Sequence, residues 1–320
     1  MSDLLRGKRV WVAGHRGMVG SAIVRRLARE DCTVITVDRE RVDLRRQTAV
    51  EDWLAEASPE LVFVAAAKVG GILANDSYPA DFIYDNVAIA TNVIEAARTT
   101  GVEKLLFFSS SCVYPKLAPQ PIPEDALLSG ALEPTNQWYA VAKIAGMKLC
   151  QAYRRQYGSD FVSVMPTNLY GPGDNFDLRT SHVLPALIAK MHAAKVASQP
   201  CVEIWGTGNA RREFMHVDDA ADAAVHVMKT YTGELPVNIG VGSDLAIAEL
   251  ARLIAEIVGF SGELRYDTTK PDGTPRKLLD VSKLHRIGWR PRMGLAQGIR
   301  DTYAWYVENL SARDEGRVSS

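Results

Sequence analysis

The sequence is poor in cysteine, carries almost no net charge and contains no long uninterrupted hydrophobic run. Its four cysteines are widely separated and include no C-x-x-C pair, which argues against a structural zinc site and against a disulfide framework. The 37 lysines and arginines are balanced by 38 aspartates and glutamates. No broad positive field would therefore attract nucleic acid or an anionic membrane.

The longest apolar stretch, residues 61–74, is broken by Lys68 and by two glycines, so it does not predict a transmembrane helix. The first ten residues carry four charged side chains, where a signal peptide would need an apolar core. We therefore expect a cytoplasmic protein that binds neither nucleic acid nor a membrane.

Short β-branched runs alternate with helical patterns through the first half of the chain. The runs are "RVWVAG", "TVITVD", "LVFVAAA" and "KLLFFSS", and helices are predicted at 18–29, 80–98 and 137–157. This alternation predicts an α/β fold, with a Rossmann-type doubly wound parallel sheet and a smaller C-terminal α/β substrate lobe. We expect a nucleotide-binding domain at 1–175, a mainly substrate-binding lobe at 176–310 with some exchange of chain between the two, and a polar tail at 311–320.

A glycine-rich loop follows the first predicted strand. In "AGHRGMVG", Gly14, Gly17 and Gly20 lie between that strand and a predicted helix. Backbone in this position approaches a pyrophosphate closely, and the free amides of the helix start attract anions. The spacing G-x-x-G-x-x-G is less common than the usual dinucleotide fingerprint, so a tight turn without a ligand is the alternative.

The end of the second predicted strand bears on the choice of cofactor. Asp38 would accept hydrogen bonds from the ribose hydroxyls of NAD, whereas Arg39 would bind the additional phosphate of NADP. Arg16, inside the glycine loop, is a second cation for that phosphate. The two arginines favour NADP(H), with NAD(H) as the weaker alternative.

A tyrosine and a lysine four residues apart form a possible proton-transfer pair. Tyr139 and Lys143 lie on one face of a predicted helix, and a nearby ammonium is expected to lower the pKa of the phenol. Ser110 or Ser111, at the end of the fourth predicted strand, would hydrogen-bond a substrate carbonyl. The neighbouring Cys112 is either a small buried residue or a reactive thiol, and its local sequence does not decide between these.

Longer motifs extend these observations over nearly the whole chain. They are "AGHRGMVGSAI", "AAAKVGGI", "YPADFIY", "SSCVYPK", "EPTNQWYAVAKIAG", "SVMPTNLYGPGDNF", "REFMHVDD" and "KPDGTPRKLLDVSKL". With them the sequence resembles the extended short-chain dehydrogenase/reductases that act on nucleotide sugars, and among these the GDP-L-fucose synthase family. "KVGGI", "SSCVYPK" and "KPDGTPRKLLDV" are far more specific than the motifs shared by the whole superfamily.

That family converts GDP-4-keto-6-deoxy-D-mannose to GDP-L-fucose with NADPH, by epimerisation at two carbons followed by reduction of the ketone. The resemblance implies that Ser110, Tyr139 and Lys143 serve the reduction. It implies that Cys112 and His182 are the acid–base pair of the epimerisation, a role suited to a thiol and an imidazole because each titrates close to neutrality.

The resemblance also implies which residues contact the ligands and that the protein forms a homodimer through the helices at 80–98 and 137–157. The implied substrate contacts are Lys190, Trp205, Arg212 and Asp272, of which the two cations would neutralise the GDP diphosphate. The implied cofactor contacts are Gly14, His15, Arg16, Gly17, Met18, Val19, Gly20, Arg39, Phe108, Ser109, Ser110, Ser111, Lys143, Pro166, Thr167, Asn168, Leu169 and His182.

Two other functions are considered beside this one. A nucleotide-sugar 4-epimerase or 4,6-dehydratase would keep a tightly bound NAD and show no net oxidation, and it would have no need of the Cys112 and His182 pair. A regulator that senses NADP without chemistry would have no need of Ser110, Tyr139 and Lys143. The complete set of five residues therefore favours the epimerase/reductase.

Overall fold

A six-stranded parallel sheet forms the centre of the protein in the computed structural model, which describes the backbone of residues 4–270 and 272–318 and side-chain environments as far as residue 310. The strands are β1 (Lys8–Ala13), β2 (Cys32–Ile35), β3 (Leu61–Val64), β4 (Lys104–Phe108), β5 (Asp160–Pro166), β6 (Asn168–Tyr170), β7 (Cys201–Trp205), β8 (Arg211–Arg212), β9 (Phe214–His216), β10 (Val237–Ile239), β11 (Leu245–Ala246), β12 (Glu263–Asp267) and β13 (Arg276–Lys277). The α-helices are α1 (Met18–Leu27), α2 (Gln47–Ala57), α3 (Ile72–Ser77), α4 (Pro79–Thr99), α5 (Gln137–Tyr157), α6 (Val183–Val196), α7 (Val217–Thr230), α8 (Ile247–Val258), α9 (Ser282–Arg286) and α10 (Leu295–Val318).

The strand order of the central sheet is β10-β5-β4-β3-β1-β2. Every pairing in it is parallel, as in the register Val10↔Leu61 between β1 and β3. The chain runs from β1 outward to β2 and then returns to the other side of β1 with β3. The order thus reverses at β1, and ligands of open α/β sheets bind at the carboxyl ends of the strands beside such a reversal.

Both faces of the sheet are covered by helices, which gives two hydrophobic cores. Trp11 and Val62 point to the face where α2, α4 and α5 pack, whereas Val10 and Phe63 point to the face covered by α1 and α7. Successive strand residues alternate between the two cores, as the pleat requires. The predicted Rossmann-type doubly wound fold is confirmed.

Helix ends agree with local sequence signals. α4 begins with Pro79 at its first turn, where a missing N–H is not needed for helical hydrogen bonding. α5 ends at Gly158, which adopts a left-handed conformation with φ 72°. Its bounds match the predicted helix 137–157, and α4 extends the predicted helix 80–98 by one residue at each end.

A second body of structure is built from later parts of the chain. α6, α8 and α10 enclose a third hydrophobic core that includes Leu187, Leu250 and Ile299. The parallel pair β7–β12 and the small sheet β11-β8-β13 lie in the same part of the chain. The segments α7 and β10 come after residue 176 yet belong to the first sheet and its core, so the chain crosses between the two bodies.

The C-terminal helix α10 continues to Val318, so the polar segment that begins at residue 311 has helical backbone up to that point. Over the described residues, no helix is both long and apolar enough to span a membrane.

Candidate active site

The glycine loop forms a tight turn between β1 and α1. Gly14 has φ +87°, and a Cβ at Gly20 would lie 2.0 Å from the Gly14 carbonyl oxygen, so neither position accepts another residue without distortion. Gly17 is the N-cap of α1 and offers no side chain to cap the helix, which leaves the first N–H groups of α1 open to a ligand. Met18 and Val19 form the first helical positions. This cradle of backbone amides fits the pyrophosphate of a dinucleotide.

Asp38 is already engaged by the glycine loop. Its carboxylate accepts a hydrogen bond from Arg16 at 2.7 Å and lies 3.2 Å from Nε2 of His15. Arg39 is exposed and makes no hydrogen bond or ion pair with any described residue. The acid that would mark an NAD site is therefore partly neutralised, while the adjacent cation remains available to an anion.

Ser110, Tyr139 and Lys143 converge at the carboxyl end of β4. Lys143 is buried, donates to the Phe108 carbonyl at 2.8 Å and lies 5.7 Å from the centroid of the Tyr139 ring. Ser109 and Ser111 are 4% and 3% exposed, whereas Ser110 is partly exposed. Of the three serines, Ser110 is the only one that is partly exposed, whereas the buried Ser111 lines the small cleft beside Cys112.

The electrostatics of this pair differ from the expectation based on spacing. Burial, and secondarily the negative form of Cys112, raises the pKa of Tyr139, and burial lowers the pKa of Lys143 to about 8. The expected lowering of the tyrosine pKa by Lys143 is therefore wrong for this arrangement. The reason is that the ammonium points to the Phe108 carbonyl and desolvation outweighs its effect on the phenol.

Cys112 lies in a short turn at the end of β4 and is 9% exposed. Its backbone N–H donates to Oγ of Ser110 at 3.3 Å, which ties the two side chains to one turn. Burial raises the pKa of the Cys112 thiol, and three neighbours oppose this effect: Lys277, the hydroxyl of Ser110 and Lys143. The thiol is thus protonated at rest but has cations close enough to stabilise its anion.

His182 stands at the beginning of α6, where it occupies the N-cap position. Desolvation within the cleft and the positive charge of Lys277 lower its pKa, although part of the residue remains open to solvent. Lys277 is close enough to shift the pKa of both Cys112 and His182. It also lines a small cleft with Cys112, Glu133 and Asn136.

The predicted substrate residues form two contacting pairs. Nζ of Lys190 lies 5.7 Å from the Trp205 ring, and Arg212 donates to the backbone carbonyl of Asp272 at 3.3 Å. The Asp272 carboxylate accepts from the N–H of Thr207 at 2.8 Å and from its hydroxyl at 2.9 Å. Asp272 therefore fixes the loop after Trp205, with capacity left for a further donor.

The segment 166–169, predicted to line the cofactor site, is fixed by hydrogen bonds from its own side chains. Pro166 ends β5 and Leu169 lies in β6. The Thr167 hydroxyl donates at 3.1 Å and the Asn168 amide at 2.8 Å to the same carbonyl, that of Glu213. These two side chains fix the backbone path instead of pointing freely into a cleft.

Sequence reasoning missed two lysines near the site. Lys277 is paired in register with Arg212 across β13 and β8, and Nζ of Lys270 lies 5.7 Å from the Trp205 ring, as Lys190 does. Both belong to the motif "KPDGTPRKLLDV", whose specificity was recognised without assigning its cations a role. Charged residues inside a specific motif were the signal that could have identified them.

The chain is similar to known proteins along nearly its whole length. The model of the NAD dependent epimerase/dehydratase family matches residues 10–240. The chain is 57% identical to a GDP-L-fucose synthase of Sinorhizobium fredii over 96% of this chain and 98% of that protein, and 52% identical to the GDP-L-fucose synthase of Escherichia coli over 94% and 97%. A crystal structure of a GDP-L-fucose synthetase from Naegleria fowleri bound to NADP superposes with a TM-score of 0.88 at 29% identity, covering 96% of each chain.

Proposed function

The chain belongs to the NAD dependent epimerase/dehydratase family and to its GDP-L-fucose synthases, and from this membership we propose that it converts GDP-4-keto-6-deoxy-D-mannose to GDP-L-fucose with NADPH. The observation that carries the proposal is the meeting of two sets of groups in one region. Ser110, Tyr139 and Lys143 are the set for reduction, and Cys112 with His182 is the set for epimerisation. A plain reductase needs only the first set.

Epimerisation follows from the acidity that a ketone confers on both adjacent carbons. After loss of its own proton, the thiolate of Cys112 removes a proton from one such carbon, which leaves an enolate and a neutral thiol, and the protonated imidazole of His182 returns a proton to the opposite face of that carbon. The positive charge of Lys277 favours the thiolate that this step requires, and so offsets part of the effect of burial on the thiol. The substrate gains and loses one proton at each carbon, so no oxidant is consumed.

Reduction requires a hydride and a proton, and NADPH supplies the hydride when bound. Tyr139 donates the proton to the ketone oxygen, and its raised pKa keeps the phenol protonated until that moment. Ser110 donates a hydrogen bond to the same oxygen. Lys143, 5.7 Å from the Tyr139 ring, supplies positive charge as the phenolate forms.

The groups around the second strand end support NADP(H) over NAD(H). Asp38 already accepts a hydrogen bond from Arg16, so it is a poorer acceptor for a ribose hydroxyl. Arg39 is exposed and available to a phosphate on that ribose. NAD(H) is the weaker alternative, since its ribose hydroxyl could bind to Asp38 if Arg16 released the carboxylate oxygen that it now occupies.

The cations beyond the nicotinamide region suit a nucleoside diphosphate sugar. Lys190 and Arg212 would neutralise the diphosphate, and Trp205 offers a flat face for the base or a sugar. Burial lowers the pKa of Lys190 and of Arg212, and a bound diphosphate would offset this effect by stabilising both cations. Asp272 would accept one further hydrogen bond from the ligand.

We further propose a homodimer and a cytoplasmic location. α4 and α5 pack against each other and expose large apolar side chains, namely Tyr84, Trp138, Val141 and Tyr157. A second copy of the same helix pair would cover them in a four-helix arrangement.

All four cysteines are free thiols, which suits a reducing compartment such as the cytoplasm.

Incubation with GDP-4-keto-6-deoxy-D-mannose and NADPH tests the proposed function. The expected result is one NADPH oxidised for each GDP-L-fucose formed, with solvent deuterium incorporated at both carbons adjacent to the ketone. A 4-epimerase or a 4,6-dehydratase would consume no NADPH, and a regulator would bind NADPH without any turnover. Either outcome would refute the proposal.

A further inference from the structure

The position of His182 depends on the backbone that precedes it. Its imidazole has no hydrogen-bond partner among the described residues, and its own main chain has the extended conformation of a helix N-cap, with φ −79° and ψ 170°. Thr180 and Ser181 are connected to Asp177 by backbone hydrogen bonds of 3.0 and 2.8 Å. Any contact that moves residues 180 and 181 will therefore move His182.

A loop formed by residues 68–71 lies directly against this backbone. The Gly71 N–H donates to the Thr180 carbonyl at 2.8 Å. A Cβ at Gly71 would lie 2.4 Å from the Ser181 carbonyl oxygen, closer than van der Waals contact allows. Only glycine permits this approach, because the obstructing atom belongs to the backbone and cannot rotate away.

Two buried asparagines fix the loop. Asn75 is 5% exposed, and its Nδ2 donates to the Gly70 carbonyl at 2.6 Å and to the Gly71 carbonyl at 3.0 Å. Asn86 is 3% exposed, accepts from the Lys68 N–H at 2.9 Å and donates to the Lys68 carbonyl at 2.9 Å. Both ends of the loop are thus held by side chains that are shielded from water, where hydrogen bonds are strongest.

The same loop contacts the reductive half of the site. A Cβ at Gly70 would lie 3.2 Å from Cζ of Phe82, whose ring packs edge-on against Tyr139 with centroids 6.4 Å apart. The loop therefore lies between the support of His182 and the support of Tyr139. Its direct backbone hydrogen bond, however, reaches only the His182 side.

We propose that Gly71 and Asn75 are positioning residues that place the imidazole of His182 for proton transfer to the substrate. Gly71 supplies the close approach and the N–H for the Thr180 carbonyl, and Asn75 holds the Gly71 peptide in the orientation that this bond needs. The proposal rests on the proposed function, because it assigns these residues to the epimerisation step that His182 serves. It explains why two glycines occur together at a site far in sequence from His182.

The test compares solvent-deuterium exchange into the ketosugar in full-length Gly71→Ala, Asn75→Ala and Gly294→Ala proteins. A misplacement of about 1 Å can reduce a rate about 100-fold, which is the loss expected for Gly71→Ala. Asn75→Ala removes two donors but no backbone clash arises, so a loss of about tenfold is expected. Gly294→Ala is the matched control, since a Cβ there meets nothing within 4 Å, and it should exchange at the wild-type rate.

Two further measurements separate positioning from general damage. NADPH affinity, measured by fluorescence titration, should change by less than about threefold in both loop variants, because the glycine cradle packs on Ala65 and Ala66, which precede the loop, whereas the Gly71 N–H bonds to Thr180. In a His182→Gln background, Gly71→Ala should cause no additional loss of exchange, as expected for residues that act through one another. If Gly71→Ala folds poorly, exchange in Asn75→Ala is compared instead between the wild-type and His182→Gln backgrounds, and this comparison tests the positioning role.

Undiminished exchange in both loop variants, or an equal further loss in the His182→Gln background, would overturn this proposal while leaving the proposed function intact. Absence of exchange and of GDP-L-fucose in the wild-type protein would instead overturn the proposed function, and this inference with it.

Discussion

Replacing Arg39 by alanine tests the basis of cofactor choice. Arg39 is exposed and makes no hydrogen bond or ion pair with any described residue; its charge contributes only a minor part of the low pKa of Asp43, which Arg45 mainly sets, so its removal breaks no internal hydrogen bond. A charge-assisted hydrogen bond contributes about 1.5–3 kcal/mol, and solvent screening at an exposed site favours the lower value. Since about 1.4 kcal/mol corresponds to a factor of ten in Kd, NADPH should bind roughly tenfold more weakly to Arg39→Ala, while NADH binding is unchanged.

Arg16→Ala should change the preference in a second way. It removes a cation from the phosphate and also frees the Asp38 oxygen that Arg16 now occupies at 2.7 Å. The freed carboxylate oxygen can accept from a ribose hydroxyl, and a net gain of about 1 kcal/mol would strengthen NADH binding roughly fivefold. NADPH should weaken in this variant as it does in Arg39→Ala.

Fluorescence titration with NADPH and with NADH provides both dissociation constants in one experiment. Arg265→Ala is a suitable control, because that exposed arginine on β12 pairs only with Glu263 among the described residues and lies outside the cradle. The losses should shrink as salt is raised, since exposed charges are screened. Equal changes in Kd for NADPH and NADH in Arg39→Ala would refute the assignment of this arginine to the phosphate.

Three other predictions follow from the site. Tyr139→Phe should reduce NADPH oxidation by about 10²–10⁴-fold and leave solvent-deuterium exchange measurable, and parallel loss of both would contradict a role confined to reduction. Cys112→Ser and His182→Gln should lose deuterium exchange first, so undiminished exchange in Cys112→Ser would exclude the thiol as the base. Burial lowers the pKa of Lys143 to about 8 from 10.5, so between these two pH values the unfolded chain binds more protons than the folded protein. In chemical denaturation of the cofactor-free protein, the free energy of unfolding of the wild type should therefore rise relative to that of Lys143→Met from pH 8 to pH 10.5. A constant difference between the two proteins would show that the pKa of Lys143 is not depressed.

The sheet and its flanking helices were accessible from sequence because their signals are local. Helical spacing of apolar residues and a C-terminal glycine are enough to predict α5 as Gln137–Tyr157. The place of β10 in the first sheet was not accessible in this way, because its neighbour β5 is some seventy residues earlier in the chain. Pairing between distant strands depends on packing, which no local pattern records.

The sequence predicts which residues form the site, but it does not predict their electrostatic interactions. Spacing alone places Lys143 one turn from Tyr139, and only the fold reveals that its ammonium bonds to the Phe108 carbonyl instead of the phenol. In the same way, Asp38 is visible in the sequence, whereas its engagement by Arg16 depends on how the glycine loop turns. The catalytic and binding assignments remain predictions that the variants above test.

The charges in the cleft couple the two proposed reactions to each other. The anion of Cys112 raises the pKa of Tyr139 and also that of Lys143, so a thiolate that is ready to accept a proton from the substrate keeps the phenol and the ammonium protonated. Lys277 acts in the other direction on the thiol, because its positive charge favours the anion. Once Cys112 has taken a proton from the substrate its negative charge is gone, so the pKa of Tyr139 falls from its value beside the thiolate and the phenol becomes a better proton donor. An order in which epimerisation precedes reduction is consistent with this coupling, since proton uptake by Cys112 in the first step makes Tyr139 the stronger acid for the second.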